Sequence, residues 1–558
     1  MSNTAPADLA IIGGDVRTID RAGTRASAVA IRDGRIVAVG SDEDVRAVSD
    51  PSTELIDARG RTVLPGFQDA HIHAPSAGLD RLRIDLLTAH SIDEYEERVL
   101  AYAARNLDRE WILGGGWVSE HFPGGWPTAE LLDRWVADRP VFLANAGNHG
   151  AWVNGRAMEL AGITRDTPDP PDGRFERDAQ GEPTGVLHEG AMDTVRRLIG
   201  TVDPDEQLDG LLEAQRYLHA VGITGWQDAI VGTYPTLDDS YETYLRASGS
   251  GALTARVVGA LWWDRSRDES QLPFLLDRRS RAAEVEGRFR ATSVKIMADG
   301  VCENFTAALL DPYVGEGGVP TDNRGISFVE RDDLLRVAPL IDAEGFQLHI
   351  HVIGDRAARD ALDAIEAARA ANGPNDRRHH LAHLHVVHPD DVPRFARLGV
   401  VANCQPLWAA HGIEMDEFTS PQLGDPRWRW QYPFGGLARS GATLAFGSDW
   451  PVSSPNPFEE MHVAVHRIEP PGVEGASDVP VFLPDERLDL DTSIRAFTMG
   501  SAYVNHLDDV TGSLEPGKLA DLIVLDRALD DAGTDGFSDT RVLLTLVEGE
   551  RVHEAPGL

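Results

Sequence analysis

The stretch that decides the fold is Pro65-Gly66-Phe67-Gln68-Asp69-Ala70-His71-Ile72-His73, in which a turn precedes a short apolar strand. His71 and His73 lie two residues apart, and alternate residues of a strand point to the same side of the sheet. Imidazole nitrogen is a good ligand for zinc and similar ions. The pattern predicts a strand that presents two histidines to one side, although such a pair alone is a weak metal motif.

The middle of the chain alternates short apolar runs with longer stretches rich in Ala, Arg, Glu and Leu. Residues 347–355 predict a strand and residues 356–371 the helix that follows it, while residues 443–450 form another apolar run. Such alternation over several hundred residues predicts an α/β fold with a parallel sheet, closed here into a (β/α)8 barrel. In these barrels the chemistry lies at the C-terminal ends of the strands.

The two ends of the chain have a different pattern. Residues 28–32 and 35–39 are apolar, β-branched runs separated by Asp33-Gly34, a strong hairpin signal. Residues 542–547 repeat this style near the C-terminus. We therefore expect the two ends to meet in one small β-sandwich, with the barrel inserted between them.

One interval of the barrel is too long for a single strand and helix, and it contains Gly114-Gly115-Gly116-Trp117. We expect it to form an inserted subdomain near the barrel mouth. The predicted domains are a β-sandwich of residues 1–65 and 500–558, a barrel of residues 66–499, and an insert of about residues 75–201.

Composition limits the possible partners. The 558 residues include 52 basic and 90 acidic ones, for a formal net charge of -38, which disfavours nucleic acid because phosphate binding needs a basic patch. The chain has no apolar run of membrane-spanning length, and its first residues lack the basic cluster of a secretory signal. We expect a cytoplasmic protein with a small-molecule ligand and no membrane partner. Cys302 and Cys404 are too few for a thiolate metal site.

Lysine is rare in this chain, where Lys295 and Lys518 are the only two. Lys295 stands in an apolar, strand-like stretch, and a buried amine is costly unless it is paired or chemically altered. A neutral amine can take up carbon dioxide and become a carbamate, an oxygen ligand able to bridge two ions. Arginine cannot, because it stays protonated. The alternative is an ordinary ion pair with a carboxylate such as Asp299.

Further motifs place polar side chains at predicted strand ends. His349 and His351 share one strand face, and Gly447-Ser448-Asp449-Trp450-Pro451 delivers a carboxylate after an apolar strand. The run Arg378-His379-His380-Leu381-Ala382-His383-Leu384-His385, with His388 just beyond, holds more histidines than a metal site can use. Most of them must therefore lie outside any ligand set.

In its order of His-x-His, Lys, His, His and Asp, the chain resembles the amidohydrolase superfamily. It is most similar to amidohydrolase family 3, the subgroup that includes N-substituted formamide deformylases and exoenzyme-regulatory homologues. The resemblance covers almost the whole chain. It rests on Val294-Lys295-Ile296 with Asp299-Gly300, Thr306-Ala307, Pro312-Tyr313, His351-x-Ile353-Gly354-Asp355-Arg356-Ala357, Gly447-Ser448-Asp449-Trp450-Pro451, and Gly512-Ser513-Leu514-Glu515-Pro516-Gly517-Lys518-Leu519-Ala520-Asp521.

The resemblance implies a homodimer that binds one or two divalent ions per chain, with zinc the expected metal. His71 and His73 would bind the more buried ion, and a carboxylated Lys295 would bridge the pair. The second ion would fall to His351 and to His383, which is chosen from its neighbours on the family pattern. Asp449 would bind the first ion and shuttle protons. The histidines outside this set are His349, His379, His380, His385 and His388, for which we expect structural or supporting roles.

The ligand set predicts a hydrolase in which a metal-activated hydroxide attacks the substrate. The expected reaction cleaves a C–N bond in an amide, an N-substituted formamide or a carbamate, and the same groups would also suit an ester or lactone. Lys295 and Gly354 disfavour a mononuclear deaminase, and the complete ligand set disfavours a non-catalytic scaffold. Ala382 departs from the subgroup, which often has Glu before the fourth histidine. The candidate substrate contacts are Trp117, Asp299, Phe305 and Trp450.

Overall fold

A computed structural model describes residues 5–122, 125–147, 149–234, 237–471, 479–531 and 536–558. Within these ranges, no helix is both long and apolar enough to cross a membrane. Both cysteines are buried and free.

The strands are numbered along the chain. They are β1 (Leu9–Ile12), β2 (Asp15–Arg17), β3 (Arg25–Ala26), β4 (Ala28–Arg32), β5 (Arg35–Gly40), β6 (Glu54–Asp57), β7 (Thr62–Pro65), β8 (Phe67–Ile72), β9 (Ile84–Asp85), β10 (Ile112–Trp117), β11 (Val141–Asn145), β12 (Gly150–Val153), β13 (Gly173–Arg177), β14 (Pro183–Glu189), β15 (Ile223–Val231), β16 (Arg256–Trp262), β17 (Phe289–Met297), β18 (Gln347–Val352), β19 (His380–His383), β20 (Val401–Cys404), β21 (Leu444–Phe446), β22 (Leu522–Leu525), β23 (Val542–Val547) and β24 (Glu550–Glu554).

The α-helices are numbered in the same way. They are α1 (Asp42–Arg46), α2 (Ala74–Leu82), α3 (Ile92–Arg105), α4 (Ala129–Trp135), α5 (Gly155–Ala161), α6 (Asp193–Ile199), α7 (Pro204–Ala220), α8 (Tyr241–Gly249), α9 (Leu272–Glu284), α10 (Arg331–Ala343), α11 (Asp355–Asn372), α12 (Val392–Leu398), α13 (Ser420–Leu423), α14 (Phe434–Arg439), α15 (Pro457–His466), α16 (Leu490–Arg495) and α17 (Ser501–Val504).

The predicted parallel barrel is confirmed. Its eight strands lie in the order β8-β15-β16-β17-β18-β19-β20-β21, and each neighbouring pair in that order is parallel. Strands such as β15 and β18 are buried along their whole length because helices cover the outside and side chains fill the inside. The helix predicted after β18 is α11, whose apolar residues Ala357, Ala361, Ile365 and Ala368 recur at helical spacing on its buried face.

A second sheet lies between the first and second barrel strands in the chain. Its order is β13-β14-β12-β11-β10-β9, so it occupies Ile84–Glu189 within the interval predicted for the insert. Around it lies an apolar cluster of its own, which includes Trp117, Trp152 and Leu143. The insert is therefore a separately packed layer joined to the barrel.

The two ends of the chain share one sheet. Near the N-terminus β7 pairs antiparallel with β22, with Leu64 opposite Ile523, and this sheet shares an apolar cluster with the sheet β5-β4-β1-β6. The hairpin predicted at Asp33-Gly34 is present, since it joins β4 to β5 and both residues have positive φ.

The barrel closes where β8 meets the segment after β21. Asp449 N donates to His71 O at 2.7 Å, and His73 N donates to Trp450 O at 2.9 Å. Gly447 allows this approach, because a Cβ there would lie 2.5 Å from His71 N and 2.8 Å from His71 Cβ. Closure thus brings the first and last barrel motifs into backbone contact.

We predict that Gly447→Ala lowers the free energy of unfolding by about 1–3 kcal/mol, because the added methyl meets rigid backbone. Denaturant unfolding measures this change. Gly249→Ala is the matched control, since its Cβ would meet only Val285 Cγ1 at 3.4 Å, an ordinary contact. Equal stability of the two variants would contradict the role given to Gly447.

Candidate metal centre

The C-terminal ends of the barrel strands bring the predicted ligands together. Lys295 comes from β17, His351 from β18 and His383 from β19, and Asp449 follows β21. At the end of β8, His71 lies inside the strand, while His73 stands just before the first residue of α2. The barrel topology therefore collects side chains from five of its eight strands.

His71, His73 and Asp449 form the tightest group. Their ligand atoms lie within 4.8 Å of one another, and all three residues are substantially buried. Asp449 Oδ1 lies 3.3 Å from His71 Nε2 and 3.0 Å from His73 Nε2, as expected if both rings point to the same side. Asp449 Oδ1 has no hydrogen-bond partner, so these two short contacts do not have hydrogen-bond geometry.

A hydrogen-bond chain behind this group begins at Gln347. Its Nε2 donates to the carbonyl oxygens of Arg378 at 2.8 Å and Val504 at 2.6 Å. Only an NH2 group can donate to two carbonyls, so Gln347 Oε1 points the other way and accepts from Gln227 Nε2 at 3.2 Å. Gln227 consequently turns its own Oε1 towards His349.

The orientation of Gln227 fixes the tautomers of two histidines. His349 Nδ1 lies 2.6 Å from Gln227 Oε1, so Nδ1 carries the proton and Nε2 the lone pair. His71 Nδ1 lies 2.9 Å from His349 Nε2 and must therefore donate. Burial, together with the charge of Lys295, lowers the pKa of His71 to about 3, so this ring is neutral. His71 Nε2 is left with a lone pair.

This lone pair faces the Asp449 carboxylate. Two buried electron-pair donors 3.3 Å apart repel each other unless a cation lies against both. A neutral imidazole whose other nitrogen donates to a fixed partner is also the form in which histidine binds metal. The residues present therefore fit a divalent cation held by His71, His73 and Asp449.

Lys295 lies among the histidines of the barrel interior. It is 1% exposed and pairs in register with His349. No hydrogen bond or ion pair joins its Nζ to any other residue in the part of the chain that the structure describes. Burial lowers its pKa to about 7, against the opposing effect of Asp449. Asp299 does not pair with Lys295, so the structure does not show the ordinary ion pair that was the alternative for this lysine.

His351 and His383 are the next pair of rings. Their centroids are 4.5 Å apart, and His383 Nδ1 lies 3.7 Å from Asp449 Oδ2. The His383 ring stacks on Trp408 at 5.2 Å, and its buried Nδ1 has no hydrogen-bond partner. His383 therefore lies beside the three-residue group, on the side of Asp449 Oδ2, and His351 lies next to His383.

Known proteins resemble this chain over most of its length. Residues 54–553 match the amidohydrolase family.

The chain belongs to the amidohydrolase family.

Three relatives illustrate how far the likeness extends. Protein LONG AFTER FAR-RED 3 of Arabidopsis thaliana is 31% identical over 557 residues, which cover 98% of this chain and 92% of the relative. An N-substituted formamide deformylase of Arthrobacter pascens is 29% identical and covers 99% of each chain. The crystal structure of an uncharacterized metal-dependent hydrolase from Pyrococcus furiosus superposes with a TM-score of 0.70 at 26% identity, covering 93% of this chain and 99% of that one.

The other histidines of this amidohydrolase fill supporting positions. Besides His349, which bonds to His71, the structure places His379 between Leu348 N and Asp342, and the His380 ring 4.0 Å from that of His349. Further out, His385 bonds to Gln431 at 2.8 Å, and His388 accepts from Asp390 N at 3.2 Å. Ala382 is fully buried beside His351.

Two of the predicted substrate contacts are buried and bonded within the protein. Trp117 is fully buried in the insert, where its Nε1 donates to Leu143 O at 2.9 Å. Asp299 is fully buried too, and its carboxylate accepts from the backbone N–H groups of Ala308, Ile353 and Gly354 at 2.8 to 3.0 Å. The Asp299 carboxylate therefore stabilises the loops beside His351.

The other two predicted contacts have different surroundings. Trp450 is 3% exposed, and its ring packs against Tyr217 at 5.3 Å, which leaves little surface for a ligand. Phe305 is half-buried in an apolar cluster that also contains Trp408, the residue stacked on His383. Phe305 therefore stays a candidate.

Sequence reasoning missed Gln227 and Asp69. Asp69 accepts from Ser448 Oγ at 2.6 Å and from His71 N at 2.9 Å, and so fastens the two metal motifs to each other. Its position two residues before His71 was visible in the sequence. Gln227 lies in β15 within an ordinary buried strand, and no pattern marks it.

We predict that Gln227→Leu weakens zinc binding by about 10–100-fold, because it removes the acceptor that fixes the tautomers of His349 and His71. Competition with a chromophoric chelator measures the affinity. Gln215→Leu is the matched control, since it removes a buried glutamine whose bonds to Thr254 N and Ala252 O lie outside the hydrogen-bond chain. An equal loss in both variants would mean that general destabilisation, and not the tautomer, sets the affinity.

Proposed function

We propose that this protein hydrolyses a C–N bond in an amide, an N-substituted formamide or a carbamate, using divalent metal bound by the candidate ligands. The observation that carries the proposal is the fixed lone pair of His71 Nε2, which faces the Asp449 carboxylate in a buried position. These two groups repel each other unless a cation lies between them. Zinc suits this donor set of imidazole and carboxylate. The family, and a formamide deformylase among the relatives, support the reaction class.

A bound metal would supply a hydroxide at neutral pH and would polarise the scissile carbonyl. His71, His73 and Asp449 would hold one ion, and His351 and His383 would hold a second. Asp449 presents two oxygens with different surroundings, since Oδ1 faces His71 and His73 while Oδ2 faces His383. In the proposed reaction Asp449 accepts a proton from the nucleophile and passes it to the leaving nitrogen.

Lys295, once carboxylated, would bridge the two proposed ions. Its neutral amine adds to the carbon of carbon dioxide and releases one proton, which gives a carbamate. A pKa of about 7 makes a large fraction of the amine neutral at physiological pH. The carbamate would also relieve the cost of burying an unpaired ammonium among histidines.

A cavity between the insert and the barrel offers room for a small substrate. Its volume is about 320 Å³, and it extends from His73 along α2. The apolar part of its lining includes Trp111, Leu113, Phe142 and Ile199. This size falls in the range of small-molecule sites, so we place the organic part of the substrate here.

We predict that the zinc-loaded protein hydrolyses at least one member of a panel of N-substituted formamides, N-acyl anilines and carbamates. Chelation should abolish the activity and zinc should restore it. Asp449→Asn keeps an oxygen at the ligand position but cannot accept a proton, so kcat should fall by about 100–10,000-fold. Steady-state kinetics with measured zinc content give the result.

An inactive wild-type protein that holds its full zinc content would contradict the proposed reaction. Activity on esters and lactones alone would assign the same site to C–O bonds. Full activity of Asp449→Asn would remove Asp449 from proton transfer while leaving its place in the metal site.

We predict one carbamate signal in carbon NMR of protein equilibrated with ¹³C-bicarbonate and zinc. The chain has two lysines, so the assignment needs only two variants. Lys295→Arg should abolish the signal and reduce the bound zinc. Lys518→Arg should keep it, because Lys518 Nζ already donates to Asp508 O and to Ser513 Oγ. A signal that persists in Lys295→Arg would rule out the bridge.

A further inference from the structure

The insert brings a histidine and a glutamate to the edge of the candidate metal centre. His149 precedes β12, and Glu189 is the last residue of β14. His149 Nδ1 lies 3.0 Å from each carboxylate oxygen of Glu189. The two side chains are 13% and 6% exposed. They form a mostly buried pair outside the set of candidate ligands.

Several contacts hold Glu189 in place. Its backbone N donates to His149 O at 3.0 Å, so the pair is joined through backbone as well as side chain. In the barrel loop after β17, Asn304 Nδ2 and Thr306 Oγ1 lie 3.4 and 3.5 Å from its Oε1. Glu189 also has φ 49 and ψ -128, a conformation that non-glycine residues rarely adopt. Strain of this kind persists only where the surroundings fix it, and it is concentrated at functional sites.

The ring of His149 lies next to the proposed ligands. Its centroid is 6.2 Å from that of His351, which is itself 4.5 Å from that of His383. Glu189 occupies Nδ1, so Nε2 is the nitrogen on the opposite side of the ring. Within the described residues, Nε2 has no hydrogen-bond partner, and the ring keeps some exposed surface. An oriented imidazole with one open nitrogen is therefore presented beside the metal centre.

A second histidine–glutamate pair of the insert, His188 and Glu176, serves as a comparison. His188 Nε2 lies 3.1 Å from Glu176 Oε2, within the same sheet. Its ring is covered by Trp126 at 4.7 Å, and its Nε2 lies 3.5 Å from Arg174 Nη2. Among the residues that the structure describes, it has no ring contact or hydrogen bond to the barrel. The two pairs share their chemistry, but only His149 and Glu189 reach barrel residues.

We propose that His149 is a catalytic residue which the insert adds to the barrel site, with Glu189 as its positioning residue. This inference rests on the proposed hydrolysis. His149 forms a hydrogen bond through Nε2 to the scissile group of the substrate, and Glu189 fixes the ring by binding Nδ1. A carboxylate that orients an imidazole towards a reacting group is a recurring catalytic arrangement. The insert then completes the active site as well as walling the substrate cavity.

The test uses the zinc-loaded full chain and the best substrate of the panel. In His149→Gln, kcat should fall by about 100-fold or more with little change in KM, because the hydrogen bond matters most in the transition state. Glu189→Gln keeps the ring but loses the carboxylate, so its kcat should fall less, by about 10-fold. Zinc content and thermal unfolding of both variants should match the wild type.

The matched controls are His188→Gln and Glu176→Gln, which remove the structural pair. Their kcat should stay within about threefold of the wild type. Similar losses of kcat in all four variants would overturn the proposal, since they would reflect only the integrity of the insert. Loss of zinc from His149→Gln would overturn it too, because His149 would then act on the metal. If that variant does not fold, His149→Asn replaces it.

A readout that needs no substrate separates this inference from the proposed reaction. Acetohydroxamate binds metal through oxygens that resemble the reacting group, and its affinity for zinc-loaded protein is measured by calorimetry. His149→Gln should weaken this binding by about tenfold, and His188→Gln should not. Unchanged affinity in His149→Gln overturns the role of His149 even if the wild type proves inactive. An inactive wild type with weakened binding in His149→Gln supports the role and rejects only the proposed reaction.

Discussion

The buried approach of His71 Nε2 to the Asp449 carboxylate is the constraint on which the rest of this structure depends. An imidazole could relieve that contact by carrying a proton on Nε2, but the hydrogen-bond chain from Gln347 through Gln227 and His349 places the proton on the opposite nitrogen. His71 Nε2 and the Asp449 carboxylate are therefore both acceptors, and a cation bound to both would remove their repulsion. The family to which the chain belongs, with its metal-dependent hydrolase relatives, agrees with that requirement.

Closure of the barrel creates this contact, and it does so under strain. Asp449 adopts φ 57 and donates its N–H to His71 O, and Gly447 leaves no room for a Cβ against the same residue. His383 adopts φ 79. In the same strand, the His380 ring points inward to that of His349, and Leu381 points outward into the apolar core around the barrel. Since His383 lies two residues after Leu381, regular alternation would also point His383 outward, away from the site. The left-handed backbone turns it back, and strain of this kind is common where function fixes a side chain.

The insert forms part of the surroundings of the candidate metal centre. It supplies one wall of the cavity beside His73, and the ring of His149, bonded to Glu189, lies 6.2 Å from that of His351. Loops and insertions at strand ends are where barrels of this kind vary their chemistry. Trp117, which sequence reasoning expected at the substrate, instead fills the insert's core and supports the sheet that carries these residues.

The sequence by itself determined the barrel and the hairpin at Asp33-Gly34, because periodicity and turn chemistry are local properties of the chain. The six candidate ligands came from the resemblance of its motifs to those of a known family. The sequence could not determine which nitrogen of His71 is open, why His383 faces inward, or that Gln227 and His149 belong to the site. Those features depend on the direction of hydrogen bonds and on strained backbone conformations, and both are set by contacts between residues far apart in the chain. Only the closed barrel and the docked insert bring these residues within contact distance.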